Sequence, residues 1–315
     1  MSSIVIRGDR APIALFVYNR PEHTRRTVEA LAANAGAADS SLFIFSDAPK
    51  NQASAAVVEE VRTYVGSVTG FARVTVIERE TNLGLAESII DGVTRLCEEY
   101  GRVIVLEDDL LTARGFLDFM NDALDAYSSH DPIISVCGYM YPVTLPTSSE
   151  TVFLRVPHCW GWGTWKDRWS LFQRDGALLL RELKGHGRLA DFDAHGPHDY
   201  TRMLEDQIRG LNDSWFIRWY ATALLADKLS VYPSRSLVSN AGIDGSGVHC
   251  AEWKFDPYAV DLHQGYVSVD GRSPAESAEV NEVLARYYPK IRFLRYVNFG
   301  YRVLTRIGRW FLPKR

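Results

Sequence analysis

The sequence predicts an α/β fold in which a mostly parallel sheet is covered by helices. Two observations support this prediction. Short apolar runs rich in β-branched residues alternate with segments of helical periodicity through the first 140 residues. These runs are continuously apolar, which is typical of parallel strands buried on both faces. Since doubly wound sheets bind ligands beyond the carboxyl ends of their strands, we expect the functional residues at that edge.

Five strands and four helices are predicted in this first part. The strands are 13–18 (IALFVY), 42–45 (LFIF), 74–77 (VTVI), 103–106 (VIVL) and 133–136 (IISV). The first helix begins after Asn19-Arg20-Pro21, because proline is favoured in the first turn of a helix. The other helices carry apolar residues at helical spacing over 57–65, 85–96 and 116–127.

The pattern changes after residue 140. The segment 139–146 is rich in turn residues, and six of the eight tryptophans lie between residues 160 and 219. Here we predict a helix near 215–229 and a strand at 229–232. We divide the chain into 10–140, 141–282 and a basic C-terminal tail at 283–315, without requiring that the first two parts be independent domains.

Composition and charge exclude several classes of protein. The 46% hydrophobic and 23% charged residues are ordinary for a globular protein of 315 residues. The tail holds nine Lys/Arg and no acid, so the rest of the chain has a formal charge of −13, which argues against nucleic acid as a partner. Four cysteines without CxxC spacing, no long apolar run and no secretion signal predict a cytoplasmic protein.

Three consecutive acids, Glu107-Asp108-Asp109, directly follow the fourth predicted strand. Like charges at a buried sheet edge repel, and a hard divalent cation that accepts carboxylate oxygens would relieve the repulsion. Side chains alternate along a strand, so we expect Glu107 and Asp109 on one side and Asp108 on the other. The alternative is a solvated loop that caps a helix over 110–119.

The segment VIVLEDDLLTARGFLDFM (103–120) resembles the metal-binding strand end of GT-A fold glycosyltransferases, especially N-acetylglucosaminyltransferase I-like enzymes and related bacterial enzymes. The resemblance extends over roughly 12–249. It implies a GT-A type, Rossmann-like sheet in 10–140 that binds the nucleotide-sugar, an acceptor-binding and catalytic half in 141–282, and a helical tail. It also implies Mn²⁺ or Mg²⁺ as cofactor.

The implied activity is a metal-dependent, inverting transfer of a hexosyl or N-acetylhexosaminyl group from a nucleotide-diphosphate sugar. The acceptor would be a hydroxyl of a glycan or lipid-linked molecule in cell-envelope polysaccharide biosynthesis. Two alternatives stay open: a nucleotidyltransferase on a similar sheet, and a non-catalytic sugar-binding protein. The nucleotidyltransferase would need a glycine-rich basic loop after the first strand, which VYNRPEH does not provide.

The resemblance assigns roles to individual residues of the first half. Asp109 becomes the metal ligand, and the residues that bind the nucleotide-sugar are Asn19, Arg20, Asp47, Asn82, Gly84, Glu107 and Asp108. Asn19 and Arg20 would cradle the base, Asp47 would accept its hydrogen bonds, and Asn82-Leu83-Gly84 would lie beneath the ribose and phosphates. In the alternative, Arg20 is an exposed residue at a helix start and Asp47 caps the turn at 48–49.

Three segments of the second half receive roles in the same way. Trp160, Gly161 and Trp162 would shape a sugar and acceptor pocket, because indoles stack on sugar faces; the alternative is an aromatic core. Asp213 would be the general base, with Glu205 and Asp206 as rivals, unless Asp213 caps the helix that starts at 214 or 215. His249, at the end of the glycine-rich loop 240–249, would be a second metal or phosphate ligand.

The tail suggests a further partner. Basic and bulky apolar residues interleave over 287–295 and 301–312, a pattern typical of helices that lie on a membrane surface. We therefore expect contact with an anionic membrane surface in addition to donor and acceptor, and a location peripheral to the inner face of the membrane. The alternative is a helix docked on the acidic body or an oligomer contact.

Overall fold

The computed structural model describes residues 10–194, 199–243 and 255–311. Within these ranges the strands are β1 (Ile13–Val17), β2 (Ser41–Ser46), β3 (Arg73–Glu78), β4 (Arg102–Glu107), β5 (Leu110–Thr112), β6 (Ile133–Cys137), β7 (Thr151–Leu154), β8 (Trp162–Trp165), β9 (Leu229–Pro233) and β10 (Val238–Asn240). The helices are α1 (Pro21–Ala32), α2 (Gln52–Val65), α3 (Gly84–Tyr100), α4 (Phe116–Ala126), α5 (Lys166–Trp169), α6 (Gly176–Gly185), α7 (Leu189–Phe192), α8 (Tyr200–Ile208), α9 (Trp215–Leu225) and α10 (Ala278–Phe311).

Eight strands form one sheet in the order β3-β2-β1-β4-β8-β6-β9-β7, and β5 pairs with β10 in a small second sheet. The strands β3, β2, β1 and β4 are parallel to each other. Strand β8 runs antiparallel to both of its neighbours, β4 and β6, and β7 runs antiparallel to β9. The predicted α/β class is confirmed, and all five strands predicted in the first part are present.

The continuous apolarity of the strands follows from burial on both faces of the sheet. Along β1, Ile13 and Leu15 pack in a core with α1, α2 and α4. Their neighbours Ala14 and Phe16 point to the opposite face and pack in a second core with α3 and α9. Because every position faces one of two cores, polar residues do not interrupt the strand, and they first occur where the strand ends.

Strand β8 joins the two predicted halves into one sheet. It comes from the second half of the sequence and lies between β4 and β6 of the first half, so the sheet continues across residue 140. Gly163 allows β8 to pack closely against β4, because a Cβ at this residue would lie 2.9 Å from the carbonyl oxygen of Val103 on β4. Sequence periodicity did not predict this strand, because its sequence WGTW is neither a continuous run of β-branched residues nor an alternation of apolar and polar ones.

The C-terminal helix docks on the body of the protein through its first half. It begins at Ala278, and Val280, Leu284 and Ile291 are buried in the core that contains α1 and α4. Further along, the amide of Asn298 donates to the carbonyl oxygen of Phe255 at 2.8 Å. The docked-helix alternative therefore describes this helix as far as Asn298.

Over the described residues, none of the helices combines the length and the apolar character that crossing a bilayer requires.

The contact at Gly163 generates a stability prediction. We expect Gly163→Ala to lower the free energy of unfolding by about 1–3 kcal/mol, because the added methyl group would overlap the backbone of β4. Denaturant unfolding followed by circular dichroism measures the change. Gly185→Ala is the matched control, since a Cβ at Gly185 would meet nothing within 4 Å. Equal stability of the two variants would contradict the close packing of β8 against β4.

Candidate active site

Polar side chains gather where β1, β2 and β4 end. The strand register pairs Phe16 with Glu107 and Val17 with Ser46, so the three carboxyl ends lie at one level of the sheet. Arg20 follows β1, Asp47 follows β2, and Asp108 and Asp109 follow β4. The expectation that the functional residues lie at this edge agrees with the strand register.

The acidic turn after β4 is bound by a single guanidinium. Nη2 of Arg20 donates to Oδ2 of Asp109 at 2.8 Å and also to Oδ1 of Asp108. The Arg20 side chain is only 16% exposed, so it is neither an exposed helix-start residue nor free to hold a base in this conformation. The hydroxyl of Thr27 donates to the carbonyl oxygen of Asp108 at 2.8 Å and fixes the turn from α1.

The two aspartates therefore share a partner, which differs from the expected alternation. Alternation holds only within a strand, and β4 ends at Glu107. The chain turns at Asp108 and Asp109, which brings both carboxylates to Arg20. The alternative of a helix cap is also wrong, because residues 110–112 form β5 and the next helix starts at Phe116.

Electrostatics at this turn are unbalanced, with three acids against one arginine. Burial, together with the neighbouring Asp109 and Asp108, raises the pKa of Glu107 to about 8. Burial also raises the pKa of Asp108, although Arg20 opposes that shift. Burial disfavours the charge of Arg20, but the two aspartates hold its pKa above the ordinary value. The arrangement favours an additional cation.

Asp47 holds the loop that precedes α3. Its Oδ1 accepts from the backbone N–H groups of Ala48 and Leu83, and its Oδ2 accepts from that of Gly84, each at 2.9 Å. The side-chain amide of Asn82 donates to the carbonyl oxygen of Ala48 at 2.7 Å. Asp47 thus caps its own turn and places the N-terminus of α3 at the site edge. Its binding of a base stays a prediction.

Asp213 is an exposed carboxylate beside that loop. A Cβ on Gly84 would lie 3.5 Å from Oδ2 of Asp213. The cap of α9 is Ser214, whose hydroxyl accepts from the N–H of Ile217 at 3.2 Å, so the alternative that Asp213 caps this helix is wrong. Within the described ranges, the Asp213 carboxylate makes no hydrogen bond or ion pair.

The rival acids Glu205 and Asp206 lie elsewhere, on α8. Arg209 lies 4.0 Å from a carboxylate oxygen of Glu205 and 3.6 Å from one of Asp206. Asp206 is also 3.9 Å from Arg202. Both acids therefore belong to a network of ion pairs on a helix surface.

The segment after β10 passes directly over Asp109. The N–H of Ala241 donates to the carbonyl oxygen of Asp109 at 2.8 Å. A Cβ at Gly242 would lie 2.1 Å from Oδ2 of Asp109, so only glycine fits there. His249 lies outside the described residues, which end at Ile243 and resume at residue 255. The glycines of this loop are evident in the sequence, but the close approach of Gly242 to Asp109 is not.

The aromatic run separates into a core residue and a surface residue. Trp162 is 1% exposed and stacks on Trp215 at 5.1 Å between ring centroids, so it belongs to the core rather than to a sugar pocket. Trp160 is partly exposed and meets Tyr139 and Tyr258 edge-on. Gly161 between them has φ +63°, and a Cβ there would lie 2.7 Å from the Val238 side chain.

Asn19 lies partly exposed in the turn between β1 and α1. Burial, together with the neighbouring Glu107, raises the pKa of the Cys159 thiol well above its ordinary value.

The side chains at the acidic turn offer only part of the ligand set of a divalent cation. Over 10–194, 199–243 and 255–311, no group of three His, Cys, Asp or Glu side chains is arranged to hold a metal ion. Asp108 and Asp109 nevertheless offer carboxylate oxygens, the ligands that Mg²⁺ and Mn²⁺ prefer. The two carboxylates already hold a cationic group together, so their chemistry fits an ion for which a nucleotide would supply further oxygens.

No protein-family model matches the sequence, and no curated protein matches it. Distant similarity is found among solved structures. One is the crystal structure of S. aureus TarS 1-349, with 13% identity and a TM-score of 0.42, covering 75% of this chain and 61% of that one. Another is the mannosyltransferase PcManGT from Pyrobaculum calidifontis in complex with GDP-Man and Mn²⁺. Here the identity is 12% and the TM-score 0.37, covering 69% of this chain and 74% of that one.

Proposed function

We propose that this protein is a glycosyltransferase that moves a sugar from a nucleotide-diphosphate sugar to an acceptor hydroxyl. The observation that carries the proposal is the acidic turn Asp108-Asp109, bound by Arg20 at the sheet edge, together with the exposed carboxylate of Asp213, which lies beside the first residue of α3. The first group suits a diphosphate with its counter-cation, and the second suits a base. These are the two charges that sugar transfer from a nucleotide requires.

The diphosphate would lie between the acidic turn and the N-terminus of α3. Helix N-termini favour anions. Asp47 holds this one at the site edge by accepting from the N–H groups of Leu83 and Gly84, so the diphosphate would meet the N–H groups that follow Gly84. Asn82 and Gly84 would lie under the ribose and phosphates, and Asn19 near the base. These placements agree with the roles that the sequence resemblance implies.

Asp108 and Asp109 would hold Mn²⁺ or Mg²⁺, with His249 as a further ligand. The ion would neutralise the leaving nucleoside diphosphate. Asp109 is the stronger candidate of the two, because the segment that leads to His249 passes over its carboxylate at Gly242.

Asp213 would act as general base in an inverting displacement. As the acceptor oxygen bonds to the anomeric carbon, its proton passes to the Asp213 carboxylate and the bond between that carbon and the diphosphate breaks. Trp160, which is partly exposed, would contact the sugar or the acceptor. The acceptor class that we propose is a glycan or a lipid-linked glycan of the cell envelope.

The first prediction tests the donor site with Asp109→Ala. We expect this variant to fold, because Asp108 retains Arg20 and one repelling acid is gone, but to lose Mn²⁺-dependent donor binding and hydrolysis. Release of nucleoside diphosphate from UDP-, GDP- and dTDP-sugars measures the effect. Asp131→Ala is the matched control, since Asp131 pairs with Lys228 and is 92% exposed.

Three outcomes of this assay would contradict the proposal. Equal donor affinity of the wild type with and without Mn²⁺ would remove the metal assignment. Formation of a nucleoside triphosphate and a sugar 1-phosphate from the donor when pyrophosphate is added would identify a nucleotidyltransferase. No binding of any donor would leave the sugar-binding alternative.

The second prediction concerns the base. We expect Asp213→Asn to leave donor affinity nearly unchanged and to lower turnover by about 10²–10⁴-fold, the usual loss for a positioned general base. Steady-state turnover and donor titration measure the two effects separately. Glu205→Gln and Asp206→Asn are the controls, and a comparable loss of turnover in either would move the base to α8.

The third prediction extends the function to a membrane surface. We propose that the outer face of α10 contacts anionic lipid, because Phe293 and Tyr296 are each 64% exposed there and the chain from residue 283 carries nine basic residues and no acid. Each basic residue near anionic lipid contributes about 1 kcal/mol, and the attraction is screened by salt. This would place a lipid-linked acceptor close to the site.

Flotation with phosphatidylglycerol vesicles tests this contact. We expect the full chain to float at low salt and to be released at high salt, and we expect a chain ending at residue 298 to float less. Phosphatidylcholine vesicles are the control. If neither chain floats, then α10 is a packing element only. If the two chains float equally, the basic residues after 298 do not contribute to the contact.

A further inference from the structure

Of the two terminal nitrogens of the Arg20 guanidinium, only Nη2 makes hydrogen bonds in the described structure. Its Nη2 bonds both Asp108 and Asp109. Its Nη1 is buried and has no hydrogen-bond partner among the described residues. A buried donor without a partner is unfavourable, and such groups in native proteins call for an explanation. The N–H groups on Nη1 are therefore available to a ligand.

Arg20 also occupies the oxygen that a cation would take. Its Nη2 lies 2.8 Å from Oδ2 of Asp109, and Gly242 closes the same oxygen from another side, where a Cβ would lie 2.1 Å away. Little room is left at this oxygen for a second positive group. Arg20 and a divalent cation must therefore compete for the aspartates.

We propose that Arg20 is a diphosphate-binding residue that Asp108 and Asp109 hold in reserve while the site is free of donor. When a divalent cation and the donor bind, Arg20 leaves the aspartates and its guanidinium binds the donor's phosphate oxygens. The planar fork of arginine matches phosphate in a bidentate way. This inference rests on the proposed function, and it replaces the expected contact of Arg20 with the base.

The exchange has a thermodynamic consequence. Arg20 opposes the cation when the donor is absent and favours the donor when the cation is present, so the cation and the diphosphate bind together more tightly than either binds alone. Such coupling is reciprocal: each ligand increases the affinity for the other by the same factor, typically about 5–150-fold.

The test uses Arg20→Met and Arg20→Lys in the full chain. Mn²⁺ binding is measured by electron paramagnetic resonance without nucleotide. Binding of UDP and GDP, and of uridine and guanosine, is measured by calorimetry with Mn²⁺ present. Arg25→Met is the matched control, because Arg25 lies on the same helix and contacts Tyr64 and Glu22 rather than the aspartates.

We expect Arg20→Met to bind Mn²⁺ alone roughly tenfold more tightly than the wild type and a nucleoside diphosphate roughly tenfold more weakly, with nucleoside binding unchanged. Arg20→Lys keeps the charge but lacks the fork, so it should shift both affinities in the same directions by less. If Arg20→Met does not fold, because its aspartates lack a partner, the lysine variant still gives both readouts.

Four outcomes decide between the explanations. Unchanged Mn²⁺ affinity in the Arg20 variants would overturn the competition. Equal loss of nucleoside and nucleoside diphosphate would assign Arg20 to the base and also overturn the inference. If the wild type binds no nucleoside diphosphate at all, the proposed function itself fails, whereas normal binding by the wild type and the variants alike defeats only the role of Arg20.

Discussion

The crowding of three acids at the end of β4 is the constraint on which the site depends. Glu107, Asp108 and Asp109 follow a strand that is buried on both faces, so water contributes little to stabilising their charges. The guanidinium of Arg20, which follows the adjacent strand β1, reduces the repulsion by donating to both Asp108 and Asp109. The parallel pairing of β1 and β4 makes that contact geometrically available.

The surrounding segments are shaped by the same turn. Thr27 on α1 fixes the backbone of Asp108, and the chain after β10 can pass over Asp109 only as glycine at position 242. On the other side of β1, Asp47 uses its carboxylate to hold the start of α3. The backbone at this edge of the sheet is thus held in place around one charged centre, which favours the binding of a charged ligand.

The sequence predicted the parts that local patterns determine. Each buried strand of the first half is a continuous apolar run, and the polar residues at its end identified the site edge. Strand β8 could not be found in this way, because Trp162 and Gly163 are explained by packing against β4, a contact distant in sequence. Similarly, the contact of Arg20 with Asp108 and the burial of Trp162 depend on tertiary neighbours that no spacing reveals.

Aspartates at one sheet edge take different roles according to their surroundings. Asp47 is saturated by backbone donors, and Asp108 and Asp109 are held by a guanidinium. Asp213 does not cap α9, because the hydroxyl of Ser214, one residue later, accepts the capping hydrogen bond. A carboxylate that already accepts several hydrogen bonds is a poor base, whereas an exposed carboxylate can accept a proton. The proposed division between binding and proton transfer therefore rests on the hydrogen-bond partners and not on residue type.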